Sequence, residues 1–124
     1  MRPKINFITL AVENLEQSIS FYKKAFGLEI SDVNESLCLF EMEDDFYLVL
    51  CQKEDFAKQV VGLNGSSGFI LSNSVVSKKE MEDVVTKAEK FGAKRVKELN
   101  EEWGFSITIQ DLDGHHWEFV YTVE

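Results

Sequence analysis

In "DLDGHHWEFV", residues 111 to 120, a turn signal runs into a strand that carries an imidazole and a carboxylate. Asp113-Gly114 is a dipeptide that reverses the chain at little cost. In the extended chain after it, Trp117, Phe119 and Tyr121 fall on one face, and His116, Glu118 and Val120 on the other. The aromatic face should be buried, with Trp117 in the core. Glu118 on the opposite face is suited to accept hydrogen bonds from a ligand or to act as a general base. The plain alternative is a strand-end carboxylate bonded to backbone or solvent. Glu118 and His116 are about 7 Å apart along the strand, so they form half a metal site at most, and the sequence names no helper. His115 points the other way, so the two histidines are not a chelate. His116 is the better placed of the two for a pH-sensitive donor role, with a bland surface role beside it. Trp103 fits a stacking platform or ordinary packing next to Gly104, and packing is the commoner use. No Ser-His-Asp order, phosphate loop or activated lysine is present.

The elements that must position these residues repeat. "KINFITLAV", 4 to 12, alternates as a strand. Asn14 and Gln17 form a capping box for a helix over 15–26, which ends at Gly27. Strands follow at 28 to 33, in "SLCLFEM" and in "FYLVLCQ", the last two joined by Glu43-Asp44-Asp45. The stretch 53 to 68 has no expected element and ends in loop chemistry, Asn64-Gly65-Ser66-Ser67-Gly68. "GFILSNS" then opens a second round. Ser77 and Glu80 cap a helix over 78–91 with the stripe Met81, Val84, Val85, Ala88 and Phe91, ending at Gly92. Strands at 93 to 98, 104 to 110 and 115 to 122 complete it. This is a duplicated supersecondary unit, with halves at about 1–60 and 66–124. The implied fold class is α+β within a single domain of 124 residues: two βαβββ modules, about eight strands curled into a cleft and two main helices outside.

If Asp44-Asp45 is a two-residue turn, Cys38, Phe40, Met42, Tyr47, Val49 and Cys51 share one face, and the two thiols lie directly across from each other. A three-residue turn staggers them. On the first register these side chains, with Phe7, line an apolar pocket of the kind small molecules use.

Composition narrows the function classes. A hydrophobic fraction of 44% with ten Phe supports a packed core. The net charge of −9 repels phosphate backbones, which disfavours nucleic acid as a partner and mildly favours a cationic ligand. The two cysteines have no metal-ligand spacing and read as reduced core residues. No apolar run is long enough for a membrane span, and the N-terminus enters a strand pattern without a signal-peptide region. A cytoplasmic protein, intact at its start, is the expectation.

"INFITLAVENLEQSISFYKKAFGLE" resembles the opening of the vicinal oxygen chelate superfamily, which includes glyoxalase I, bleomycin-resistance proteins and extradiol dioxygenases. "DLDGHHWEFV" resembles its closing motif, with Leu112 where a proline is usual. "EEWGFSITIQ", 101 to 110, resembles its penultimate strand in a bacterial subgroup. The resemblance covers nearly the whole chain. It implies paired βαβββ modules, frequently dimeric, and in the enzymes a divalent metal held by one ligand from the first and last strand of each half. Those positions fall on Phe7 (Asn6 if the register slips by one), Val49, near Gly68, and Glu118. Only Glu118 carries a donor of the expected kind.

The resulting expectation is a metal-independent small-molecule-binding protein with no cofactor, a possibly cationic ligand and a homodimeric state. Its cleft is lined by Phe7, Phe40, Met42, Tyr47, Val49, Trp103, His116 and Glu118. The alternatives are a metal-dependent glyoxalase-like lyase, isomerase or dioxygenase-like enzyme with Glu118 as catalytic base, and a non-catalytic interaction protein.

Overall fold

The computed structural model describes residues 3–58 and 69–123, in two compact units, Met1–Asn64 and Gly65–Glu124. In the first unit, strand β1 (Phe7–Val12) leads into helix α1 (Leu15–Phe26) and then β2 (Glu29–Val33), β3 (Leu37–Glu41) and β4 (Tyr47–Gln52). In the second, β5 (Leu71–Ser74) leads into α3 (Lys78–Lys90), β6 (Lys94–Glu101), β7 (Gly104–Gln110) and β8 (His116–Thr122). Each sheet is mixed, with orders β1-β4-β3-β2 and β5-β8-β7-β6. The first strand runs parallel to the last, and the other pairs are antiparallel. The duplication extends to a detail absent from the sequence pattern. The strand after each helix carries a bulge at its third residue, skipping Ser31 in β2 and Val96 in β6. A short helix α2 (Lys53–Phe56) stands where no element is expected.

Local chemistry explains the helices. The Asn14 side chain accepts from the Gln17 amide at 2.9 Å, and Gly27 closes α1 in the left-handed region at φ 67°. Leu15, Phe21, Tyr22 and Ala25 bury one face of α1 on its sheet. In α3, Ser77 accepts from the Glu80 amide at 3.0 Å, and Glu80 reaches back to the Val76 amide at 2.9 Å. Met81, Val85 and Ala88 are buried, whereas Val84 is only half-buried, because the stripe that meets the sheet is narrower than the apolar stripe in the sequence. Arg95 on β6 ties this helix to its sheet, with Glu98 at 2.7 Å, Glu89 at 3.0 Å and Glu82 at 3.2 Å. Burial opposes its charge, and the three carboxylates more than offset that, so its pKa lies above the ordinary arginine range.

The β3–β4 hairpin corrects one expectation. Met42 and Phe46 close a three-residue turn through a 2.8 Å bond from the Met42 amide to the Phe46 carbonyl, with Asp44 and Asp45 at φ 60° and 58°. Asp tolerates that region, and it is the Met42–Phe46 closing pair, which leaves Glu43, Asp44 and Asp45 in the turn, that distinguishes it from a two-residue turn. The register is therefore Cys38↔Leu50, Leu39↔Val49, Phe40↔Leu48. Cys38 and Phe40 face α1, and Tyr47, Val49 and Cys51 face away from it. Both cysteines are free and buried, on opposite sides of the sheet.

Candidate functional site

The loop before β8 is built on one buried carboxylate. Asp111 Oδ1 accepts from the Asp113 amide at 2.9 Å and the His115 amide at 2.8 Å, and the Asp111 amide donates to the His115 carbonyl at 2.9 Å. Gly114, at φ 84°, completes the reversal. The motif's first acid is thus a structural brace that fixes the start of β8.

Along β8, Trp117 and Phe119 are buried toward α3, as the alternation predicts. Glu118 and His116 are half-buried on the other face. The Ser72 hydroxyl on β5 donates to Glu118 Oε1 at 3.0 Å, and Gln110 Nε2 lies 3.4 Å from His116 Nε2. Thr108 stands directly across from Glu118 on β7. The cross-strand neighbours of Glu118 within its own sheet are therefore hydrogen-bonding rather than apolar. Sequence reasoning passed over Ser72, Thr108 and Gln110. Strand alternation would have found the last two, because both fall on the face of β7 opposite Ile107 and Ile109.

The remaining predicted site residues separate. In the first unit, Phe7 and Tyr47 are register partners with ring centres 5.7 Å apart, and Val49 follows on the same face. Phe7 is 55% exposed. Phe40 does not join them: it is fully buried against Tyr22, ring centres 6.0 Å apart, and Met42 falls on its side by alternation. The hairpin register is the reason. In the second unit, Trp103 sits in the β6–β7 turn, where its carbonyl accepts from the Val123 amide at 2.8 Å. Five residues separate it from Thr108, about 17 Å along a strand, so it is remote from Glu118.

The family's metal positions can be placed from the internal repeat. Val49 and Glu118 are each the third residue of their strand, and their partners on the parallel strand are Thr9 and Ser72. Phe7 lies two residues before Thr9, so its counterpart is Ile70, two before Ser72. The helix caps agree, since Asn14 follows Phe7 by the same spacing as Ser77 follows Ile70. The assignment near Gly68 moves to Ile70; Gly68 itself lies outside the described residues. Phe7, Val49 and Ile70 have no side-chain donor, and among the described residues no group of three His, Cys, Asp or Glu could hold an ion. The donor set does not fit a divalent metal at the family position. Among the described residues no helix is long and apolar enough to cross a membrane.

Comparison with known proteins gives the same fold. A glyoxalase-related enzyme from Fulvimarina pelagi has a TM-score of 0.85 at 22% identity, covering 97% of this chain and 88% of that one. Lactoylglutathione lyase from Agrobacterium tumefaciens has a TM-score of 0.73 at 20% identity, covering 96% and 93%. At these identities the likeness is one of fold. A tRNA (guanine-N(1)-)-methyltransferase from Chlamydia pneumoniae is 30% identical over 115 residues, which is 92% of this chain and 30% of that protein's length. The family model of the Glyoxalase/Bleomycin resistance protein/Dioxygenase superfamily matches residues 4–119, and with the repeated βαβββ units and the closing strand in place, the chain belongs to that superfamily.

Proposed function

We propose that the chain binds a small molecule without the divalent metal of its enzymatic relatives, using Glu118 as an acceptor for the ligand. The donor count carries this reading. With Phe7, Val49 and Ile70 at three of four positions, an ion would be left with one protein carboxylate, too few donors for tight binding. Glu118 is oriented instead by the Ser72 hydroxyl at 3.0 Å. The test is elemental analysis after growth or dialysis with Zn, Ni, Mn and Fe. The expected content is far below one ion per chain. One tightly held ion, lost in Glu118→Ala, would overturn the reading in favour of a lyase, isomerase or dioxygenase-like enzyme with Glu118 as base.

One observation favours a second reading, a non-catalytic interaction module: the curated relative carries this type of domain as 30% of a longer protein. With a net charge of −9, the partner in that reading is a protein rather than RNA. A stoichiometric partner that survives Glu118→Gln supports it, whereas a retained small molecule lost on that substitution supports the first reading.

A further inference from the structure

The second sheet points to the ligand's chemical class, an inference that rests on the binding role proposed for Glu118. At the height of Glu118, the face away from α3 is polar on all four strands. Ser72, Glu118, Thr108 and Lys97 stand in one row by register. In the next row, His116 pairs with Gln110, which is opposite Lys94. The equivalent row of the first unit is Thr9, Val49, Leu39 and Asp32, with the same pairing and Asp32 likewise just past the bulge. Val49 and Leu39 occupy the two central places there. The topology therefore does not demand polarity at the centre of the sheet; the second unit has it for another reason.

Ser72 is exposed, but Thr108 is buried and Glu118, Gln110 and His116 are half-buried, and polar groups so placed are costly unless they hydrogen-bond. Two strands from Glu118, across β7, Lys97 and Lys94 bring positive charge to the same face, so it is no selective trap for a cation. Its hydroxyl and amide members, Ser72, Thr108 and Gln110, each donate and accept. That is the complement of a hydroxyl group, which does both. A carboxylate offers about four lone-pair sites, and the Ser72 bond takes one of them. We infer that this face binds a neutral, hydroxyl-rich ligand, a polyol or sugar, with Glu118 accepting from its hydroxyls and Ser72 as a positioning residue for the carboxylate.

The experiment is an NMR titration of the nitrogen-15-labelled full chain. The probes are methyl glucoside, methyl riboside and myo-inositol, with deoxy analogues of the two glycosides and tetramethylammonium as a hydroxyl-free cationic control. Saturable shifts at Ser72, Thr108 and Glu118 are expected for at least one hydroxylated probe. Removing a hydroxyl from that probe, or Glu118→Gln, should weaken it by roughly tenfold or more, the loss of one charged hydrogen bond. Thr108→Val, a near-isosteric change, should weaken it several-fold. Ser72→Thr should restore most of what Ser72→Ala loses, because only the hydroxyl matters. Shifts with tetramethylammonium alone overturn the hydroxyl class and leave Glu118 as a ligand-contacting group. A face silent to every probe, on a protein that retains a ligand lost in Glu118→Gln, does the same. A silent face with no retained ligand overturns both proposals.

Discussion

Glu118 shows how one neighbour changes the expected effect of a substitution. A carboxylate facing apolar walls would gain stability on neutralisation, because an unpaired buried charge is costly. Here the Ser72 hydroxyl meets it at 3.0 Å and Thr108 stands across from it on β7. Glutamine keeps an oxygen for that hydroxyl. Glu118→Gln should therefore leave the urea-unfolding free energy within about 1 kcal/mol of the parent. A stabilisation well beyond that would show that the charge is unmet after all. Cys38 offers a second prediction. Burial pushes its thiol up to about 11, Lys23 lowers it and Asp32 raises it. From the ordinary thiol value near 9 up to about 11, the unfolded chain has released the proton while the folded chain retains it. Fewer protons are bound in the unfolded state, so stability falls as pH rises through that window, by on the order of 2–3 kcal/mol. Below it the group contributes no pH slope. Unfolding across pH should show that slope in the parent and a shallower one in Cys38→Ala, where Cys51, its thiol also raised by burial, remains.

Between the elements, two glycines look alike in sequence and differ in what surrounds them. Gly104 opens β7 at φ 150°, paired with Thr122, and a Cβ there would fall on the Tyr121 carbonyl oxygen, 2.9 Å from the Thr122 Cα. Gly114 turns at φ 84° with open space around it. Alanine at 114 meets only the backbone preference, about 1 kcal/mol, whereas alanine at 104 must separate β7 from β8, about 3 kcal/mol or more. Parallel chemical denaturation of the two variants checks this, and equal losses would mean that the strands part easily at that end. The Arg95 cluster acts at the same scale. Its side chain is 26% exposed and its guanidinium is bonded to acids from both α3 and β6, so it locks the helix to the sheet through three forked contacts that a lysine could not reproduce.

Across the whole chain, both sheets end in an edge strand bordered by exposed apolar residues. Ile5 and Phe7 are 73% and 55% exposed at β1, and Phe69 and Ile70 are 41% and 55% exposed ahead of β5. Exposed apolar side chains along an edge strand favour association. The protein should sediment as a dimer, and Phe7→Asp should shift it toward monomer without lowering its melting temperature greatly, since Phe7 is not core. A parent that sediments as a monomer at all concentrations would dismiss the idea.

Much of this was legible in the sequence because it is written in local chemistry. Capping boxes at Asn14 and Ser77, glycine stops, and the alternation that buries Trp117 and Phe119 operate over a few residues and fix α1, α3 and β8. The duplication followed from their recurrence. What the tertiary structure decided was register. Side chains alternate with a period of two, so the one-residue difference between two possible turns moved Phe40 and Met42 from one side of the sheet to the other. Cross-strand pairing likewise brought Ser72 to Glu118 over a separation of 46 residues, and it transferred the third metal position to Ile70. No local pattern encodes a partner that far away; the partner is set by how the parallel strands align when the sheet closes around its core.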